Sequence, residues 1–294
     1  MNPEFLCHLR RISQKFPLGK KQLILPRIMR SIFHKSKCQV IIRDFDGEFR
    51  IGLDLAEHMQ RRIFWVGYYN REVVHLLNTL IRPGMVIFDI GANIGEITLV
   101  AARRTTSSGK IVAFEPVNSI ANQLDENVRS NALTWVSTQR FGLSNREGKA
   151  TIYAPNDRHN KSEPNHGLGS LYPGSTNDIP LQSIQLMTLD GYIRNNPIDR
   201  LDIIKVDIEG AELPCLEGAR STLQHFKPAI IIEVQRDTSM AAGYEQSAIL
   251  GFLGDLGYQF QRIKSNGRLE SIDQHTLGAY QNVLCVHRDG KSPA

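Results

Sequence analysis

The residues with most chemical content close apolar runs. Residues 86–96 read V-I-F-D-I-G-A-N-I-G-E: an apolar run ending on Asp89, then Gly91 and Gly95 with Asn93 between them. This is the pattern of a buried strand, a tight turn and a helix N-terminus. Glycine there reaches positive φ without steric cost and lets a ligand approach the backbone. Further acids follow the same rule. Glu115 ends K-I-V-A-F-E, Asp207 and Glu209 close L-D-I-I-K-V-D-I-E, and Glu233 ends A-I-I-I-E. An unpaired buried carboxylate is costly, so acids gathered at strand ends point to a ligand rather than to packing. Open α/β sheets bind ligands at the carboxyl ends of their strands.

Two nucleotide chemistries use such a turn. The dinucleotide fingerprint G-x-G-x-x-G frees backbone N–H groups for a pyrophosphate. Gly91-Ala92-Asn93-Ile94-Gly95 departs from that spacing, and Asp89 would repel a phosphate. Both features count against a nucleotide-dependent oxidoreductase. A carboxylate at this place suits a cationic ligand. S-adenosylmethionine carries an α-amino group and a sulfonium, and no phosphate. Glu115, 26 residues after Asp89, could accept both hydrogen bonds of a ribose diol.

The elements that must hold these residues alternate regularly. Strands are expected at 85–90, 110–115, 135–141, 201–208 and 228–234, with helices at 94–104, 118–130, 211–226 and 244–257. Such β-α-β-α-β order predicts a parallel sheet with helices on both faces. Tyr258–Ile263 and Asn282–His287 read as an antiparallel pair at one sheet edge, giving six or seven strands. Asp46-Gly47 marks a hairpin ahead of this body, and 57–81 reads as one helix. Residues 144–182 break the pattern: a strand at 148–154, then a long loop, Pro155 to Pro180. Loops of that length inside a compact domain are usually functional or mobile.

Composition adds a division. Of the 294 residues, 41% are hydrophobic, enough for an ordinary core. Residues 1–43 hold ten Lys or Arg against one acid, Glu4, whereas the rest holds 25 against 29. The body is slightly acidic, which argues against a nucleic-acid groove across it. The basic arm, with Phe5, Leu9, Ile12 and Phe16 at helical spacing, reads as two short amphipathic helices. They either cap the body or touch a membrane surface or a partner. The expected division is a basic extension and hairpin over 1–56 and the main domain over 57–290. Cys7, Cys38, Cys215 and Cys285 form no C-x-x-C pair, so free thiols are expected. Without a long apolar run or a signal-peptide core, a cytoplasmic placement is expected, with membrane association through the arm as its variant.

I-F-D-I-G-A-N-I-G-E, V-A-F-E-P, M-T-L-D-G-Y-I and I-K-V-D-I-E-G-A-E, in this order, resemble the FkbM family of S-adenosylmethionine-dependent methyltransferases. Gly167-Leu168-Gly169-Ser170-Leu171 resembles a further element of that family. The resemblance implies a class I methyltransferase fold: a Rossmann-like three-layer α/β sandwich with a seven-stranded, mostly parallel sheet and the last strand inserted antiparallel. It also implies O-methylation of hydroxyls on sugars or natural products. By motif, Asp89, Gly91, Asn93 and Gly95 would line the methionine part of the cofactor. Glu115 would hold the ribose, and Gly142 and Leu143 would lie near the adenine. A non-catalytic module keeping this fold is the competing reading, and the complete set of strand-end acids counts against it.

A sugar hydroxyl is a poor nucleophile, so a general base is expected. Asp207 is the first candidate, followed by Glu209 and Glu233. Alternatively these three share a divalent cation such as magnesium. Glu212 is expected to cap the helix that follows. His159 and His166, in the irregular loop, are further candidates for the base. Trp65, Tyr68 and Tyr69 either close over the cofactor, stack on a sugar, or simply pack.

Overall fold

The computed structural model describes residues 2–15, 24–155, 169–173 and 177–290. Helices α1 (Pro3–Lys15) and α2 (Ile24–Ile32) precede a hairpin of β1 (Gln39–Phe45) and β2 (Phe49–Asp54), turning at Asp46-Gly47 as expected. Then follow α3 (His58–Val66), α4 (Arg71–Leu80), β3 (Val86–Ile90), α5 (Glu96–Thr105), β4 (Lys110–Phe114), α6 (Asn118–Arg129) and β5 (Val136–Gln139). Strands β6 (Gly142–Leu143), β7 (Gly148–Pro155) and β8 (Asn177–Met187) interrupt the alternation. It resumes with α7 (Leu189–Asn195), β9 (Ile203–Val206), α8 (Glu212–Glu217), α9 (Arg220–Phe226) and β10 (Ala229–Gln235). The remaining elements are α10 (Arg236–Ala241), α11 (Ser247–Asp255), β11 (Tyr258–Ile263), β12 (Leu269–Ser271) and β13 (Tyr280–His287).

The main sheet has the order β12-β11-β13-β10-β9-β3-β4-β5. Strands β10, β9, β3, β4 and β5 run parallel, and β13 is inserted antiparallel between β10 and β11. Successive side chains on each strand serve opposite faces. Ile87, Ile111, Ile203 and Ile231 join Leu77, Leu99 and Val100 in one core. Phe88, Val112, Ile204 and Ile232 join Leu189, Leu216, Leu223 and Leu250 in the other. These are the three layers of the expected sandwich. The chain moves outward from β3 to β5, then crosses to β9 and moves the other way. The switch point, where ligands bind in such sheets, therefore falls between β3 and β9.

Four details differ from the sequence expectation. The main sheet has eight strands, the eighth being the three-residue β12 at the edge. The helix expected over 57–81 is two helices, because Gly67 at φ 97° caps the first. The helix expected over 211–226 also breaks, at Gly218, where a β-carbon would lie 2.0 Å from the Ser144 carbonyl oxygen. Finally, 177–180, expected to close the long loop, begins the strand Asn177–Met187 in a separate sheet of order β6-β8-β7. Pro180 and the register shifts against β7 hide its alternation. His159 and His166, with Gly167 and Leu168, lie outside the described residues.

The N-terminal segment packs on the body. Leu6, Val40, Ile42 and Ile51 belong to the same core as Ile87. Arg10 Nε donates to the Phe64 carbonyl at 2.6 Å, and its Nη1 donates to both Asp44 oxygens at 2.7 Å. Among the described residues no helix is long and apolar enough to cross a membrane.

Candidate active site

Loops leaving the adjacent strands β3 and β9 form the floor of the site. The register pairs Asp89 with Lys205 and Ile90 with Val206, which brings Gly91 against Asp207. A β-carbon on Gly91 would lie 1.9 Å from the Asp207 carbonyl oxygen, and its φ is 76°. The neighbouring strand, as much as any ligand, thus demands glycine here. Asn93 also takes a positive φ, 51°. Its N–H donates to Glu115 Oε2 at 3.0 Å, while the Val117 N–H donates to Oε1 at 2.9 Å. Burial nevertheless pushes the Glu115 carboxyl up to about 7.

A cavity of about 580 Å³ opens above these residues. Gly91, Asn93, Glu115, Gly142 and Leu143 line one end, with Val117 and Phe141. Asp207, Glu209 and Glu233 line the other, with Tyr69 and Tyr280. Asp89 and Gly95 lie off the lining. Asp89 is fully buried beneath the turn, where its Oδ2 accepts from Thr98 Oγ1 at 2.6 Å. Gly95 stands at the N-cap of α5, and a β-carbon on it would meet Leu124 at 2.8 Å.

Lys205 escaped sequence reasoning. It is buried on β9, donates to the Gly91 carbonyl at 3.0 Å, and lies 3.7 Å from Asp89 and 3.4 Å from Asp207. Burial opposes its charge, but the Asp207 and Asp89 carboxylates outweigh that and hold its pKa above the usual range. The available signal was a lone cation inside the apolar run I-I-K-V. Glu96 was also missed: its carboxylate accepts the Tyr69 and Asn70 N–H groups, tying the α3–α4 turn to the start of α5.

Glu209 is a non-glycine residue at φ 53°. Its turn is braced on several sides. Ser170 Oγ donates to the Glu209 carbonyl at 2.7 Å, and Tyr244 Oη donates to the Gly210 carbonyl at 2.9 Å. Glu212 accepts the Ile208 and Gly210 N–H groups, each at 3.0 Å, a bracing role for the acid expected to cap. Burial first, then the charge of Asp207, pushes the Glu209 and Glu233 carboxyls well up. Tyr280 Oη donates to Glu233 Oε2 at 3.4 Å.

Of the three candidate aromatics, Tyr69 alone lines the cavity, with the Arg62 guanidinium 5.2 Å from its ring centroid. Trp65 packs against Phe64 and Phe33, and Tyr68 Oη donates to Asp46 at 2.6 Å. Among the described residues no group of three or more His, Cys, Asp or Glu side chains is disposed to hold a metal ion. The Lys205 ammonium stands beside Asp207, where a shared cation was the alternative.

The sheet order and the inserted last strand define a class I methyltransferase fold. The chain belongs to the FkbM methyltransferase family, whose methyltransferase FkbM domain matches residues 89–260. It is 24% identical over 257 residues to the AMB antimetabolite synthetase AmbE of Pseudomonas aeruginosa, covering 78% of this chain and 12% of AmbE. It is 26% identical over 168 residues to the hexuronic acid methyltransferase AglP of Haloferax volcanii, covering 56% of this chain and 62% of AglP. A crystal structure of methyltransferase FkbM from Methylobacillus flagellatus aligns at 18% identity and a TM-score of 0.42, covering 72% of this chain and 49% of that one. The chain thus spans less than two thirds of each of these proteins.

Proposed function

We propose that this chain transfers a methyl group from S-adenosylmethionine to a hydroxyl of a sugar or natural-product acceptor. The observation that carries this reading is one cavity joining Glu115 at one end to Asp207, Glu209 and Glu233 at the other. The residues fit the cofactor. Each Glu115 oxygen accepts one backbone N–H and retains capacity for a ribose hydroxyl. Gly91 and Asn93 would flank the methionine part, and Gly142 and Leu143 the adenine. A lining rich in carboxyl groups suits a phosphate-free ligand. When bound, that cofactor supplies a methyl carbon already activated by its sulfonium.

The protein's task is then alignment and proton removal. Glu209 and Glu233, with their pKa values pushed up, donate hydrogen bonds to acceptor oxygens near neutral pH. Asp207, ion-paired with Lys205, is left to take the acceptor's proton. Tyr69 offers an aromatic face for a sugar ring, and the name of AglP supports a sugar acceptor. Residues 57–290 would carry this activity, with 1–56 as a packed extension. Free thiols at all four cysteines support a reducing, cytoplasmic setting.

Calorimetry with S-adenosylmethionine and S-adenosylhomocysteine tests the cofactor, and labelled-methyl transfer to a panel of hydroxylated glycans tests the acceptor. Asp207→Asn should lower turnover by about 10²–10⁴-fold and leave cofactor affinity intact. A folded wild-type chain that binds neither cofactor form would sink the reading.

A further inference from the structure

The N-terminal helices bury one side and leave an apolar stripe on the other. On α2, Ile24, Ile28 and Ile32 recur at i, i+4 and i+8, which places them on one face. They are 38%, 46% and 60% exposed. The opposite side of α2 does the packing: Pro26 is buried, and Phe33, just beyond the helix, stacks on Trp65 at 5.7 Å. On α1, Leu6 and Arg10 face inward while Phe5 and Ile12 are exposed. Six of the ten exposed large hydrophobic side chains among the described residues fall within residues 1–41. A surface helix normally turns its apolar stripe to the core, so a second apolar stripe facing outward calls for another partner.

The charge around the stripe selects that partner. Arg11, Arg27, Lys35, Lys37 and Arg43 are all exposed in this segment, and the first 43 residues contain one acid, Glu4. Isoleucines among cations suit a surface with an apolar interior and anionic headgroups. We propose that α2, assisted by α1, docks this protein on an anionic phospholipid bilayer. The face lies one helix from the cavity: α3 carries Trp65, which stacks on Phe33, and also Met59 and Arg62, which line the cavity. Docking would therefore bring the site close to the membrane plane. This inference stands apart from the methyl-transfer reading and uses none of the cavity residues.

The test is co-sedimentation of the full chain with vesicles of phosphatidylglycerol and phosphatidylcholine, or of phosphatidylcholine alone. Binding should need the anionic lipid and weaken several-fold between about 0.1 and 0.5 M salt. I28D/I32D should reduce binding by about tenfold or more. R27E/K35E should reduce it by about fivefold per charge. All four positions are exposed, and unchanged thermal melts would confirm intact folding. A folded wild type that ignores anionic vesicles at low salt overturns the proposal, as does undiminished binding by I28D/I32D. So does a dimer abolished by I28D/I32D without vesicle binding, which would assign the stripe to a second copy of the chain.

Discussion

The two ends of the cavity are built on opposite plans. The Glu115 end is mostly backbone. The Gly91 turn and the segments that follow β4 and β5 shape it; Glu115 is answered by two N–H groups, and Asp89, buried beneath the turn, by Thr98 and Lys205. The Asp207 end is mostly side chains. They come from the β9–α8 turn, β10, β13 and the α3–α4 turn, and of its three carboxyl groups Asp207 pairs with the Lys205 ammonium at 3.4 Å. The proposed cofactor platform comes from one run of chain between β3 and β6. The proposed acceptor surface is assembled from segments distant in sequence. Lys205 touches both ends, so its loss should erase the difference between them. Lys205→Met strands two carboxylates and should cost about 3–5 kcal/mol in urea unfolding, with cofactor binding lost as well. A cost below about 1 kcal/mol would mean that water screens the cluster.

Glu115→Gln should damage the first end alone. Charge-assisted hydrogen bonds are worth about 1.5–3 kcal/mol, so the Kd for S-adenosylhomocysteine should rise by about ten- to a hundredfold. Wild-type affinity in this variant would remove Glu115 from the ribose. The pH dependence sharpens the point. Burial raises the Glu115 carboxyl from its ordinary 4.5 to about 7 in the free protein. Ribose hydroxyls need the ionised form, so cofactor affinity should fall by up to about tenfold per pH unit below that value. The free protein's stability should run the other way. A carboxyl with a raised folded pKa contributes stability that is full below its unfolded pKa and lost as pH rises through the folded one. Burial likewise raises Glu96 to about 7, so both groups act between about 4.5 and 7. The gain in Tm on adding S-adenosylhomocysteine should therefore grow from pH 6 to pH 8. A gain independent of pH would break the link to Glu115.

The same contrast explains what was legible in the sequence. Asp89, the Gly91 turn and Glu115 belong to one β-α-β run, where apolar periodicity and glycine spacing are local and visible. The alternation also announced the sheet, because a buried parallel strand is a short apolar run bounded by turns. The break at Gly218 was not visible, because the crowding against Ser144 is a tertiary fact. β8 was obscured by its proline and register shifts. Lys205 reads as an anomaly in an apolar strand until the register sets Asp89 opposite it. Tyr69 reads as one of three aromatics until Glu96 fixes the turn that carries it. Asp207, Glu209 and Glu233 were nameable as strand-end acids, but their proposed division of labour rests on burial and mutual charge.

That division gives the smallest effect and a sharp test of the acceptor end. With its pKa raised by burial and by Asp207, Glu233 keeps its proton at neutral pH. Glutamine has nearly the same shape, donates through its amide, and still accepts from Tyr280 Oη. Glu233→Gln should therefore change cofactor affinity and turnover at pH 7 by less than about threefold. Its effect should surface on the alkaline side. The wild type should lose activity as Glu209 and then Glu233 give up their protons beside Asp207, whereas the glutamine variant should show only the loss that comes from Glu209. A fall of about a hundredfold or more at pH 7 would instead make Glu233 the general base and Asp207 a partner of Lys205.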